Sequence, residues 1–118
     1  MIEEKIKEAL SPFNIPLHKS FHRGKGENYL TWEIINNSPV VFADDEDVFE
    51  STQIRVHAFL GDSPFESKNI NPESLRQKIK KALCKSDFTV TSSLESYEED
   101  TKYHHVVVDA HYENYIDD

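Results

Sequence analysis

Four consecutive acids, Asp44, Asp45, Glu46 and Asp47, stand directly before Val48 and Phe49 in the stretch FADDEDVFES. So many carboxylates raise the question of a hard cation. A calcium loop of the D-x-D-x-D-G-x5-E kind needs alternating ligands and a glycine at its sharp turn, whereas these acids are contiguous and no glycine follows. Adjacent side chains on an extended segment splay to opposite sides, so the run reads first as a hydrated turn. A protein contact is the other use, because Val48 and Phe49 put apolar surface next to the charge, unless Phe49 folds back onto the core. A second acidic group, Glu95, Glu98, Glu99 and Asp100, brackets Tyr97. Paired carboxylates doing acid/base work require one buried member beside an ionised one, and acids in a polar turn rarely meet that condition.

Six histidines invite a metal reading. Side chains at i and i+2 of a strand project together, so Asp109 and His111, joined by His57 or His105, could share a divalent ion. The plainer alternative is that these residues line the wetter face of an antiparallel sheet, with His104 opposite them at the edge of the core. The segment HRGKGEN is basic and glycine-rich, but it lacks the glycine spacing and the Ser or Thr after Lys25 that a phosphate-binding P-loop needs. No nucleophile elbow occurs, and Cys84 falls on a lysine-rich helix. No catalytic residue, resident metal or cofactor is expected from these patterns.

The elements that must position these groups follow from periodicity. Ile2, Ile6, Ala9 and Leu10 recur at helical spacing until Ser11 and Pro12 end the pattern. HKSFHRGKGEN reads as a loop. In YLTWEII, Leu30, Trp32 and Ile34 fall on one face and Tyr29, Thr31 and Glu33 on the other, as in a half-buried strand. NNSP reads as a turn and VVFA as a short strand that opens on Pro39. The acidic run would then be a hairpin tip leading into STQIRVHAFL, whose Ile54, Val56, Ala58 and Leu60 point inward.

Asn71, Pro72 and Glu73 carry the N-cap, first-turn proline and first-turn acid of a helix. Leu75, Ile79, Ala82 and Leu83 form its buried stripe, and Lys80, Lys81 and Lys85 complement its C-terminal dipole. FTVTSSLE and KYHHVVVDAHYENY complete the chain as two strands joined by a turn at SYEEDT, with His104, Val106, Val108, Ala110 and Tyr112 on the more apolar face. The expected fold is α+β, in the order α-β-β-β-α-β-β: a mostly antiparallel sheet of four or five strands with two helices packed on one face.

Composition bounds the partners. At 118 residues the chain suits one domain spanning 1–118, and Phe, Leu, Ile and Val make up about a quarter of it, enough to collapse. With 13 basic against 22 acidic residues the net charge is −9, which opposes a general nucleic-acid coat or an anionic membrane surface. One cysteine excludes an internal disulfide and fits a reducing compartment. Acidic, amphipathic IEEKIKEAL follows Met1, and there is no run of 18 apolar residues, so neither a signal peptide nor a membrane span is expected.

The succession of an amphipathic first helix, NIPLH, a loop, NYLTWEII running towards an acidic turn, TQIRVHAFL, the capped helix LRQKIKKAL, and DFTVTSSLESYEEDTKYHHVVVDAHY resembles the small tail-terminator or tail-completion proteins of long-tailed bacteriophages and prophages. The resemblance spans nearly the whole chain and rests on hydrophobic pattern and element order. It implies a non-enzymatic structural subunit, made in the bacterial host cytoplasm and located in the virion tail. Such subunits commonly form a ring of six that ends the tail tube and joins it to the head connector. The implied partners are copies of itself, the tail tube protein and the head-tail connector protein, with DNA only as passing cargo and no membrane. A ring would multiply the charge of −9 sixfold near a DNA channel, where repulsion from phosphate limits sticking. On this reading the contact loops are Asp44, Asp45, Glu46, Asp47, Val48 and Phe49, and then Glu95, Tyr97, Glu98, Glu99 and Asp100. Two alternatives stay open: a head-tail adaptor or stopper of the neck, and, from a different class, a small divalent-metal-dependent phosphodiesterase or nuclease built on Asp109, His111 and His57.

Overall fold

The computed structural model describes residues 2–19, 28–41, 48–61, 71–99 and 103–116. Helix α1 (Ile2–Leu10) leads through a 3-10 turn at Ser11–Phe13 into strand β1 (Leu17–Lys19). Strands β2 (Tyr29–Val41) and β3 (Val48–Gly61), helix α2 (Pro72–Lys85), and strands β4 (Thr89–Glu98) and β5 (Tyr103–Ile116) follow. The strands form one five-stranded sheet in the order β1-β2-β3-β5-β4. Only the β1–β2 pair is parallel; the other three are antiparallel. The fold is α+β, as the sequence implied, with both helices on one face.

Alternation in the sequence becomes layering in the structure. Ile54, Val56 and Ala58 of β3 and Val106, Val108 and Ala110 of β5 point to the helices and are buried. Leu30 and Trp32 of β2 extend that floor, and Ile6, Leu10, Leu75, Ile79 and Leu83 close it from above. Fully burying a side chain of this size contributes about 1.5–3 kcal/mol, so this layer dominates the stability. The start of α2 follows its local chemistry: Asn71 is extended and its side chain accepts a hydrogen bond from the Ser74 amide at 3.1 Å, with Pro72 in the first turn. Its end is closed by backbone bonds from Ser86 and Phe88, and Asp87 adopts the left-handed conformation there (φ 71°).

Two expectations are corrected. NNSP is not a turn: β2 runs unbroken through it, and the pairing with β3 shifts register between Ile34 and Asn36. The turn-forming residues are used in other ways. A bulge at Ile35 absorbs one residue, Ser38 donates to the Asn36 side chain, and Thr52 donates to Asn37 across the pair. Pro39 is tolerated because β1 covers β2 only from Leu30 to Trp32, which leaves that edge of β2 without a neighbour further along among the described residues. The second is the loop expected from His18: His18 and Lys19 belong to β1, a strand of three residues, too short to show a period, tied to β2 through the Leu30 amide and the Pro16 carbonyl at 2.7 Å. The element order α-β-β-β-α-β-β is therefore met with a different set of strands.

Candidate functional site

The sheet face away from the helices carries the groups that sequence reasoning singled out. Backbone alternation aims Tyr29, Thr31 and Glu33 from β2, Arg55, His57 and Phe59 from β3, and Tyr103, His105 and Asp109 from β5 to this side. It is not simply wet. Tyr29 and Tyr103 are only 7% and 8% exposed. Their rings meet edge-on at 6.0 Å, Tyr29 stacks on Phe59 at 4.7 Å, and Phe59 stacks on His105 at 4.4 Å. Burial pushes the Tyr29 phenol up, with the charges of Tyr103 and Glu98 acting in the same direction.

At the centre two imidazoles face each other. His57 Nδ1 lies 2.8 Å from His105 Nε2. The outer nitrogens meet carboxylates, His57 Nε2 at 3.4 Å from Glu33 Oε1 and His105 Nδ1 at 3.3 Å from Glu98 Oε1. The four groups make one line across β2, β3, β5 and β4. Counting protons exposes its chemistry. Three contacts need three ring N–H groups on four ring nitrogens, whereas two neutral imidazoles bring two. Two neutral imidazoles therefore leave one of the three contacts without a proton. A proton added to fill it is opposed at His105, since burial lowers the His105 pKa from its usual value and the charge of His57 lowers it further, against a smaller upward pull from Glu98.

Beside this line Arg55 holds Asp109 with two hydrogen bonds, Nε to Oδ1 at 2.8 Å and a terminal nitrogen to Oδ2 at 3.1 Å. Ser92 adds a third at 3.3 Å. Those bonds, the Arg55 one above all, hold the Asp109 carboxyl below the usual range. Both its oxygens are thereby engaged. His111 sits opposite Gln53 while His57 sits opposite Val107, four positions along β5, which separates the two by roughly 13 Å. Asp109, His111 and His57 are not brought together as ligands, and among the described residues no group of three or more His, Cys, Asp or Glu is placed to hold a metal.

The acidic segments fare differently. Asp44–Asp47 and Asp100 lie outside the described residues, and for Val48 and Phe49 only the backbone, the start of β3, is described. Glu95, Tyr97 and Glu98 are not in a turn as expected: β4 continues to Glu98, and the turn starts at Glu99. Glu95 and Tyr97 point to the helix side, where Glu95 lies 3.8 Å from Arg76 and Tyr97 packs against His104. Glu98, on the opposite side, joins the histidine line. Sequence reasoning had His57 and His105 on one face but missed both glutamates that flank them. Alternation gives the face; only the cross-strand register says which residues are neighbours.

No family model and no curated protein matches the chain. Among solved structures, an S-adenosylmethionine-dependent methyltransferase from Clostridium acetobutylicum ATCC 824 aligns at 13% identity over 72% of this chain and 45% of its own, with a TM-score of 0.20. A likeness that slight carries no argument about fold or function.

Proposed function

We propose that the chain is a non-enzymatic structural subunit of a phage or prophage tail, assembling as a ring of six that ends the tail tube and joins it to the head connector. The observation that carries this reading is the shape of the sheet. β4 pairs with β5 only from Tyr103 to His111, while β2, β3 and β5 stay paired as far as Val41, Val48 and Ile116. Three strands therefore run on past the end of β4 as an arm. The radius of gyration is 16.1 Å, against about 13.5 Å for a compact chain of this length, and the longest extent is 59 Å. An arm of paired strands contributes little to its own core and offers a long surface to a neighbour, which suits an assembly subunit better than an enzyme.

The test is to mix the purified 13.7 kDa chain with tail tube protein and measure mass and image tube ends by electron microscopy. Rings of six at one end of the tube are expected. A chain that stays monomeric and leaves tube ends bare removes the reading, and rings seated on the connector without a tube contact favour the neck adaptor.

A further inference from the structure

The outer side of α2 and the end of α1 enclose an open groove of about 510 Å³. Its floor is apolar, formed by Ala9, Phe13 and Ala82, and its α2 wall carries Lys78, Lys81 and Lys85 against a single acid, Glu8, on the α1 wall. The three lysines stand at i, i+3 and i+7, one stripe of the helix. All three are exposed, and no carboxylate among the described residues pairs with any of them. A cationic stripe that meets no carboxylate among the described residues, set along an apolar trough on a chain of charge −9, is complementary to an acidic segment followed by apolar residues.

We propose that this groove binds the acidic segment Asp44–Asp47 of a second copy of the chain, with the apolar Val48 and Phe49 entering behind it. The segment has four acids for three lysines and two apolar residues for the floor. A chain cannot easily fill its own groove. α2 leads directly into β4, whose Thr89 pairs with His111, and the arm then continues in register for five more residues to Ile116 opposite Val48. At about 3.4 Å per residue Val41 and Val48, the described residues on either side of the segment, lie roughly 17 Å beyond that level. Binding of this segment in a neighbour's groove is a head-to-tail contact, and such contacts close rings when the rotation between copies divides a full turn. Closure into six rests on the function proposed above, whereas the contact does not.

A labelled peptide of residues 41–51, VFADDEDVFES, titrated with the full chain and read by fluorescence anisotropy, tests the contact directly. Saturable binding with a Kd below about 1 mM at low salt is expected. It should weaken at least about tenfold with Lys78→Glu, Lys81→Glu and Lys85→Glu combined, and again on raising the salt tenfold. These lysines are exposed, and an unchanged circular dichroism spectrum checks that the variant folds; Lys81→Ala alone should give a smaller loss. No saturable binding, or equal binding by the charge-reversed chain, overturns the inference. Peptide binding without rings on tail tubes sinks only the ring, and rings without peptide binding sink only this contact.

Discussion

The two faces of the sheet are made by alternate residues of the same strands and are held in opposite ways. Towards the helices, Ile54, Val56, Val106 and Val108 are fully buried and need only volume and apolarity. On the other side, Arg55, His57, His105 and Asp109 are half-buried, and each is fixed by a partner at a set distance. Burial is non-directional and nearly indifferent to pH, whereas hydrogen bonds between ionisable groups depend on proton count and salt. One face therefore supplies most of the stability and the other supplies pH sensitivity.

Substitutions should separate the two. Ile79→Ala removes packed volume from the helix layer and should cost about 2–5 kcal/mol, read as a lowered denaturant midpoint with little dependence on pH. A loss below about 1 kcal/mol would mean that the helices are loosely seated. Asp109→Asn should cost about 1 kcal/mol at pH 7, discounted because the Arg55 side chain is 39% exposed. The folded carboxyl is held below its unfolded value of 3.8, so its contribution is present above that pH and is lost as the pH falls through the folded pKa. Variant and parent should converge in strong acid.

His105→Phe tests the line of imidazoles and keeps a ring on Phe59. Because the folded His105 pKa lies below the unfolded value of 6.5, the unfolded chain takes up the proton first, and this residue makes stability fall as the pH drops below about 6.5. The variant should flatten that slope between neutral and mildly acid pH; an unchanged slope would place the sensitivity elsewhere. The smallest effect should come from Leu94→Ser. Leu94 is 56% exposed on β4, and its replacement should stay within about 0.5 kcal/mol in thermal melts. A larger loss would show that the far face is more closed than its exposure implies.

Legibility in the sequence followed the range of the interaction. Helix α2 could be read almost to the residue because Asn71, Pro72 and the Leu75, Ile79, Leu83 stripe act within a few positions of one another. The inward set of β3 was readable from period two alone. NNSP misled because local turn chemistry was outweighed by β3, which pairs with β2 through that segment from Asn36 to Pro39. The three residues of β1 were too few to carry a pattern. In the candidate site, Asp109 looked like a metal ligand until Arg55, 54 positions away in the chain, proved to hold both its oxygens.

The sequence by itself determined the fold class, the two helices and which side chains share each face of a strand, because these depend on propensity and periodicity over short spans. Only the tertiary structure decided that Glu33, His57, His105 and Glu98 form one line and that three strands outrun β4. Both depend on which strands are neighbours and in what register. That choice is made by the summed burial of the whole sheet and by no local signal.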